Sequence, residues 1–451
     1  MIAQSLTIAR NAFVESLRQP AMLFLVIGSG VVQVLIPWMT GFAMGQEESG
    51  ELEGDNKLQF DIGLSSVFVI ATILAAFIAT TTLSREIENK TALTVVSKPI
   101  GRPTVVVGKY LGVSAALLIA LGSMIIFLLV SVRHGVLSNA SDQLDMPAIV
   151  FPLAAVLISL VASGWLNFFY GWNFPQTSVS MLFPLLIVAF GLVMAFDKTW
   201  ASQEWFHDFK PQVTVAALAL TLAVLVLTSI AVAASTRLSQ VMTVFVCLGV
   251  FLASLLTNHF LGRFAFSNSP IGIVASAEPT DLTRGAFDRS GDMYTIELIR
   301  PPNEPLKPGT PIYYGINGNG FDLVASKYEP FTGDASKSED TLGINAPAAI
   351  IVTSATEKSI TIRNIGYEGV PVSRPPQPRD YFFTQPTKAN AFAMVPWSVL
   401  PNMHYFWLLD AVSQNQPVPV SYLARAAIYA AFQVGAFLSL AVILFQKRDV
   451  G

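Results

Sequence analysis

Apolar runs recur along the chain at 21–44, 62–83, 104–132, 148–170, 177–196, 213–234, 241–261 and 422–445. Each is long enough to cross a hydrocarbon core of roughly 30 Å, which takes about 20 helical residues. The pattern predicts eight transmembrane helices. Only the uncharged "LNFFYGWNFPQ" (166–176) separates the fourth run from the fifth, and Pro184 interrupts the fifth; a re-entrant fifth run would move every later segment to the other side. Ahead of the first run, Ile2, Leu6, Ala9, Phe13 and Leu17 are spaced as one helical face. They predict an amphipathic helix over 1–20 lying in the membrane interface.

The pattern changes between residues 262 and 400. "MYTIELIR" (293–300), "TPIYYGI" (310–316), "AAIIVTSA" (348–355) and "KSITIRNI" (358–365) are short β-rich runs separated by Pro, Gly and Asn clusters. They predict a compact antiparallel β domain, either sandwich or barrel, long enough to bury its own core. The fold class is therefore a mainly α-helical polytopic membrane protein with about eight spans and an inserted extracytoplasmic β-rich domain before the last helix. The expected divisions are 1–20, an interfacial helix; 21–261, seven spans; 262–400, the β domain; and 401–451, an interfacial segment with the last span and a cytoplasmic C-terminus.

Composition agrees with a membrane chain: 53% of residues are apolar and 13% charged, and mean hydropathy is +0.55. Lys and Arg mark the cytoplasmic side of short loops. With the N-terminus inside, Arg10, Arg18, Arg85, Lys90, Lys98, Arg102, Lys109, Arg237, Lys447 and Arg448 lie inside, against Lys57, Arg133, Lys198 and Lys210 outside. Both termini are expected in the cytoplasm, and the first span is expected to be retained rather than cleaved as a signal peptide. The acidic "GQEESGELEGDNKLQFD" (45–61) reads as a solvated outer loop. A net charge of −3 offers no footprint for nucleic acid.

Catalytic chemistry finds little support. "GRPTVVVGK" (101–109) has six residues between its glycines and Tyr110 after its Lys, so it fails as a phosphate-binding loop. The chain itself is expected to be no ATPase and to hold no cofactor. The histidines, His134, His207, His259 and His404, and the single Cys247 all lie outside 263–400. That excludes His-assisted nucleophiles and Cys or His zinc sites from the β domain. "DASKSEDTLGIN" (334–345) lacks the Gly and Glu of a calcium loop and reads as a polar loop. The spans carry almost no charge, which weakens ion coupling; Lys109 and Arg425 lie near span edges, where they can snorkel. Gln33, Asn167, Asn258 and Gln433 read as helix-packing contacts.

The charged segment between the second and third runs, "LSREIENKTALTVVSKPIGRPTVVVGKYLG" (83–112), holds seven charged residues. Glu86 precedes Lys90 in the favourable i,i+4 order, Pro99 stops a short helix, and Gly101 with Pro103 makes a turn. The order Glu86-x-x-x-Lys90-Thr91, Ser97-Lys98-Pro99-Ile100-Gly101-Arg102 and Gly108-Lys109 resembles the corresponding loop of the ABC type-2 permease family. The amphipathic start, the "ASTRLSQ" turn (234–240) and the C-terminal "VLPNMHYFWLLDAVSQNQPVPVSYLARAAIYAAFQVGAFLSLAVILFQKRDVG" add to the resemblance. It covers residues 1–261 and 390–451 and is nearest to permeases grouped with multicopper-enzyme maturation transporters.

The resemblance implies a membrane-spanning permease subunit of an ATP-driven exporter in the cytoplasmic (inner) membrane. A separate ABC ATP-binding subunit would carry ATP and Mg, and a second permease would complete a homodimer or heterodimer. Residues 84–102, within the loop 84–103, would be the coupling helix. Arg85, Glu86, Glu88, Lys90, Thr91, Lys98, Pro99 and Arg102 would contact the ATPase. Trp397, Tyr405, Phe406 and Trp407 would be interfacial aromatics at the lipid boundary. The sequence departs from the family pattern by an added pair of spans around 177–234 and by the β domain. A different class of function is a non-transporting membrane scaffold whose region 262–400 recruits an envelope protein.

Overall fold

The computed structural model describes residues 2–40, 51–88, 101–136, 143–205, 207–281, 286–302, 305–321, 328, 331–370, 372, 374–408, 418 and 420–446. Of the described residues 63% are helical, and the chain divides into two compact units, Met1–Leu252 with Met403–Gly451, and Ala253–Asn402.

The first unit is helical. Its elements are α1 (Ile2–Leu17), α2 (Pro20–Thr40), α3 (Glu51–Glu88), α4 (Arg102–His134), α5 (Met146–Tyr170), α6 (Phe174–Ala195), α7 (Pro211–Ser235) and α8 (Gln240–Thr257). Among the described residues, eight helices are long and apolar enough to cross a membrane, the last being Ser421–Gln446. Their ends fall within a few residues of the apolar runs. Pro184 does not turn the fifth run back, because α6 passes through it as one helix. The short connection before α6 has its own signals: Gly171 is left-handed at the end of α5 (φ 68°), and the Asn173 side chain accepts from the Gln176 N–H at 3.1 Å.

Two expectations change here. The acidic segment read as a solvated loop is helical from Glu51 onward. At the other end, Arg85, Glu86 and Glu88 continue α3 rather than opening a separate short helix.

Small residues let the helices approach closely. α7 is the most enclosed span, with Ala216, Ala217, Ala219, Ala223, Ala231 and Ala233 buried along it. α5, by contrast, presents Leu153, Leu157, Ile158, Val161, Trp165 and Phe168 outward. A cluster of Ala76, Ala79, Val106, Tyr110, Ala231, Cys247, Ala441 and Phe445 forms one shared core. Gln33 links α2 to α3 through Nε2 to the Gly63 carbonyl (3.0 Å) and Ser66 Oγ (2.9 Å). Gln59 donates to the Ser131 carbonyl of α4 at 2.8 Å.

α1 packs along α4 by a face that shares Ala9 with the apolar stripe but is rotated from it toward Ala12. A Cβ on Gly112 would lie 2.3 Å from the Ala9 carbonyl oxygen and 2.7 Å from Ala12 Cβ, and one on Gly108 would lie 2.9 Å from Ile8. Ala12 and Ser16 are buried there, while Leu6 of the stripe is 60% exposed. The docking face is thus set by small residues meeting two glycines four apart, and α1 is a packed element of the unit. The aromatics after the second unit also pack inward: Phe406 is buried near Tyr429 (ring centroids 5.8 Å), and Trp407 meets Phe68 edge-on at 6.2 Å.

The second unit holds β1 (Phe266–Ser267), β2 (Gly272–Pro279), β3 (Met293–Leu298), β4 (Tyr313–Gly315), a short helix α9 (Ser338–Leu342), β5 (Ala349–Ala355), β6 (Ser359–Ile365), β7 (Tyr381–Phe383), β8 (Lys388–Ala389) and α10 (Ala391–Val399). Six strands form an antiparallel sheet in the order β4-β7-β2-β3-β6-β5. The segment leading into β4 bonds the far edge as well, with Ile312 N–H to the Ile350 carbonyl and Val352 N–H to the Thr310 carbonyl (2.8 and 2.9 Å). The sheet therefore curls into a half barrel instead of two stacked layers. Val274, Phe287, Tyr294, Ile296, Ile312, Tyr314, Ile350, Ile360, Ile362 and Phe382 fill it. α11 (Val420–Gln446) then returns the chain to the first unit.

Two groups of polar side chains inside the half barrel are paired. Arg374 and Asp380 form a two-armed ion pair at 2.7 and 2.6 Å, and the Tyr314 hydroxyl donates to the Arg374 carbonyl at 2.8 Å. Tyr313 and Tyr328 stack at 4.6 Å, and the Tyr328 hydroxyl donates to the carbonyls of Ile312 and Ile350. Burial pushes both Tyr314 and Tyr328 well above the ordinary phenol value of 10.0. Their neutral forms stabilise the fold below the unfolded value, and that contribution is lost as pH rises through the folded ones. Tyrosinate absorbance at rising pH should show these two rings ionising only with unfolding. A titration in which every tyrosine ionised near pH 10 with the fold intact would contradict their burial.

Candidate functional site

The charged loop between the second and third spans leaves α3 at Glu88 and rejoins the helical unit at Arg102. Lys90, Thr91, Lys98 and Pro99 lie outside the described residues, as do the side chains of Arg85, Glu86 and Glu88. Both ends of the loop are tied to neighbouring helices. On the α3 side, Lys109 of α4 donates to the Thr82 carbonyl at 2.8 Å, and Gln19, just after α1, bonds Thr81 Oγ1. Lys109 also lies 3.9 Å from Glu15 of α1. Lys109 is buried, so the expectation that it snorkels to water is replaced by a link among three helices.

On the α4 side, Gly101 is the N-cap and Pro103 occupies the first turn, where proline costs no backbone bond. The Arg102 guanidinium donates to the carbonyls of Phe445 (3.2 Å) and Gln446 (2.5 Å) at the end of α11, and sits 5.9 Å from the Phe445 ring centroid. Arg237, in the turn between α7 and α8, donates to the Leu444 carbonyl at 3.1 Å. Two cations thus satisfy carbonyls that a helix end leaves without partners, at the negative end of its dipole. Of the residues expected to contact an ATPase, Arg102 is the one whose side chain is described, and it is engaged within the chain.

At the opposite end of the spans lies a second polar cluster, which the sequence reading passed over by placing Arg133 in an outer loop. Arg133 closes α4 with its side chain buried and ion-pairs with the buried Asp145. It also lies 3.0 Å from Asp208 and donates to the Phe196 carbonyl at 2.9 Å. Asp145 accepts from the Ala148 N–H at 3.2 Å as the N-cap of α5. One guanidinium thereby joins the ends of α4, α5 and α6 to the segment before α7. Burial raises the Asp208 carboxyl, but hydrogen bonds from His207 and Gln203 and the charge of Arg133 outweigh it and hold it below the usual carboxylate value. The sequence signal was an Arg at the very end of an apolar run followed, twelve residues on, by an Asp before the next run.

Both the loop and this cluster's Arg133, Asp145 and Asp208 fall inside one region of known type. Residues 60–242 match the family model of the ABC-2 family transporter proteins. This stretch is similar to the ABC-2 type permeases. The ABC-2 region includes residues 177–234, the spans read from sequence as an added pair, and stops before the β-rich unit. No curated protein matches the chain, and no solved structure does. The match is to a family of membrane transport components, and among the described residues eight apolar helices are those of a multi-pass membrane protein.

Proposed function

We propose that this chain is the permease half of an ATP-driven exporter of the cytoplasmic membrane, paired with a second permease and moved by separate ATP-binding subunits. The observation that carries the reading is the anchoring of the loop inside the ABC-2 region. Thr81 is bonded to Gln19, in the link between α1 and α2, Thr82 to Lys109 of α4, and Arg102 to the end of α11. A push on residues 84–101 would reach that link, α4 and α11 through direct hydrogen bonds, which is what conversion of a partner's ATP cycle into helix movement requires. Arg102 then acts as the fixed end of the lever, and Arg85, Glu86, Glu88, Lys90, Thr91, Lys98 and Pro99 form the surface offered to the ATPase.

Charge reversal tests this away from the anchoring residues. Glu86→Lys with Lys98→Glu should reduce co-purification of an ATP-binding subunit, or its hydrolysis in reconstituted vesicles, by about fivefold or more. Retention of the ATPase and full transport in the double variant would overturn the assignment. ATP hydrolysis without movement of any substrate, with an envelope protein bound through 262–400, would favour the scaffold instead.

A further inference from the structure

Between α2, α4 and α5 lies a cavity of about 310 Å³. Its walls are apolar, including Val34, Phe127, Val130, Pro152 and Leu153, and among the described residues no Asp, Glu, Lys or Arg lines it. Val34 and Leu153 are more than half exposed on the sides of their helices, so the cavity opens on the outer face of the helical unit and not on its axis. Its size is at the small end of ligand pockets, roughly 300–1,000 Å³.

Trp38, about half exposed, lines it too, and three further polar side chains, Gln33, Ser131 and His134, reach the lining and are buried. Their donors are used. Gln33 Nε2 bonds Gly63 and Ser66, and the Ser131 hydroxyl donates to the Gln33 carbonyl at 2.7 Å. The Gly63 carbonyl can only accept, so it fixes which end of the amide donates. His134 Nδ1 lies 3.1 Å from the Gly135 carbonyl, which places the proton on Nδ1 and leaves Nε2 as an acceptor. Gln33 Oε1 and His134 Nε2 have no partner. Buried acceptors without partners are costly and mark a site completed by something else.

We infer that this cavity binds an uncharged, membrane-dissolved molecule with one apolar chain or ring system and a hydroxyl head whose single O–H donates to His134 Nε2. A carboxylate or phosphate would bring acceptors to acceptors. An ammonium would be buried with no counter-charge among the lining residues. The inference does not depend on the transport reading, because it concerns binding to the isolated permease.

The test uses a photoactivatable sixteen-carbon primary alcohol, with its methyl ether and the matching carboxylic acid as controls, on the full chain in phosphatidylcholine nanodiscs. The alcohol should label peptides of α2, α4 and α5. The ether and the acid should label them about fivefold less, the worth of one hydrogen bond. His134→Phe should lower alcohol labelling by a similar factor and leave ether labelling unchanged. Val34→Trp, at an exposed wall position, should fill the cavity and abolish labelling by all three probes with the melting temperature retained. Equal labelling by alcohol and ether would overturn the proposal and leave a crevice filled by lipid tails. Preference for the acid, or labelling that survives Val34→Trp, would overturn it as well.

Discussion

Asp145→Ala should cost about 3–5 kcal/mol, because it strands a buried guanidinium and removes a helix cap in one step. Arg133 would keep Asp208, but that carboxylate is partly exposed and reaches only one edge of the group. The end of α5 would be released first, since Asp145 is both its N-cap and its link to α4. Thermal unfolding of the protein in nanodiscs would register the loss, and amide exchange over 146–150 would locate it. Arg133→Met with Asp145→Leu should recover much of the stability, since burying an apolar pair avoids both desolvation penalties. A single variant within 1 kcal/mol of the parent would show that the pair contributes little. Acid should act on the same cluster: the Asp208 contribution is complete above the ordinary value of 3.8 and is lost as pH falls through its lower folded value.

Gly112→Leu should detach α1 from α4. Even a methyl group at this position would overlap the Ala9 carbonyl at 2.3 Å, and the obstacle is backbone that no rotamer change can move. Overpacking of this kind ordinarily costs about 1–3 kcal/mol, enough to open the contact by about tenfold. Ser16, fully buried in that contact, reports on it. In a Cys247→Ala background, Ser16→Cys should resist a water-soluble maleimide in the parent and react about tenfold faster when Gly112 is Leu. Protection that persisted would mean that α1 is held elsewhere, through Lys109–Glu15 and Gln19–Thr81 alone.

The spans were legible because twenty apolar residues in a row have few other uses. Helix ends were nearly as clear where Pro, Gly or Asn marked them, as at 171–175 and 101–103. The docking face of α1 was legible only at Ala9, because the eye follows large apolar residues and the rest of the face is built from small ones such as Ala12. Likewise β3, β5 and β6 announced themselves through β-branched residues, whereas β2, "GIVASAEP", is mostly small residues ending in Pro, and β7 is three residues long. The half barrel depends on residues 309–312 bonding one edge while 313–315 bond the other, a non-local choice that periodicity does not encode. Lys109 and Arg133 were misplaced for a shared reason: a charge near a span end looks solvated until the groups contributed by distant helices are known.

The two ends of the inserted unit meet each other. β1 pairs with β8, Phe266 opposite Ala389 and Ser267 opposite Lys388, and the Asn390 N–H reaches the Ala265 carbonyl at 2.8 Å. Everything from 268 to 387 therefore hangs between two strands about 5 Å apart, a gap that a tight turn of two residues closes in any ordinary hairpin. In the currency of gene architecture, the unit is a cassette: it can be gained, lost or exchanged at one hairpin without lengthening or shortening a single span.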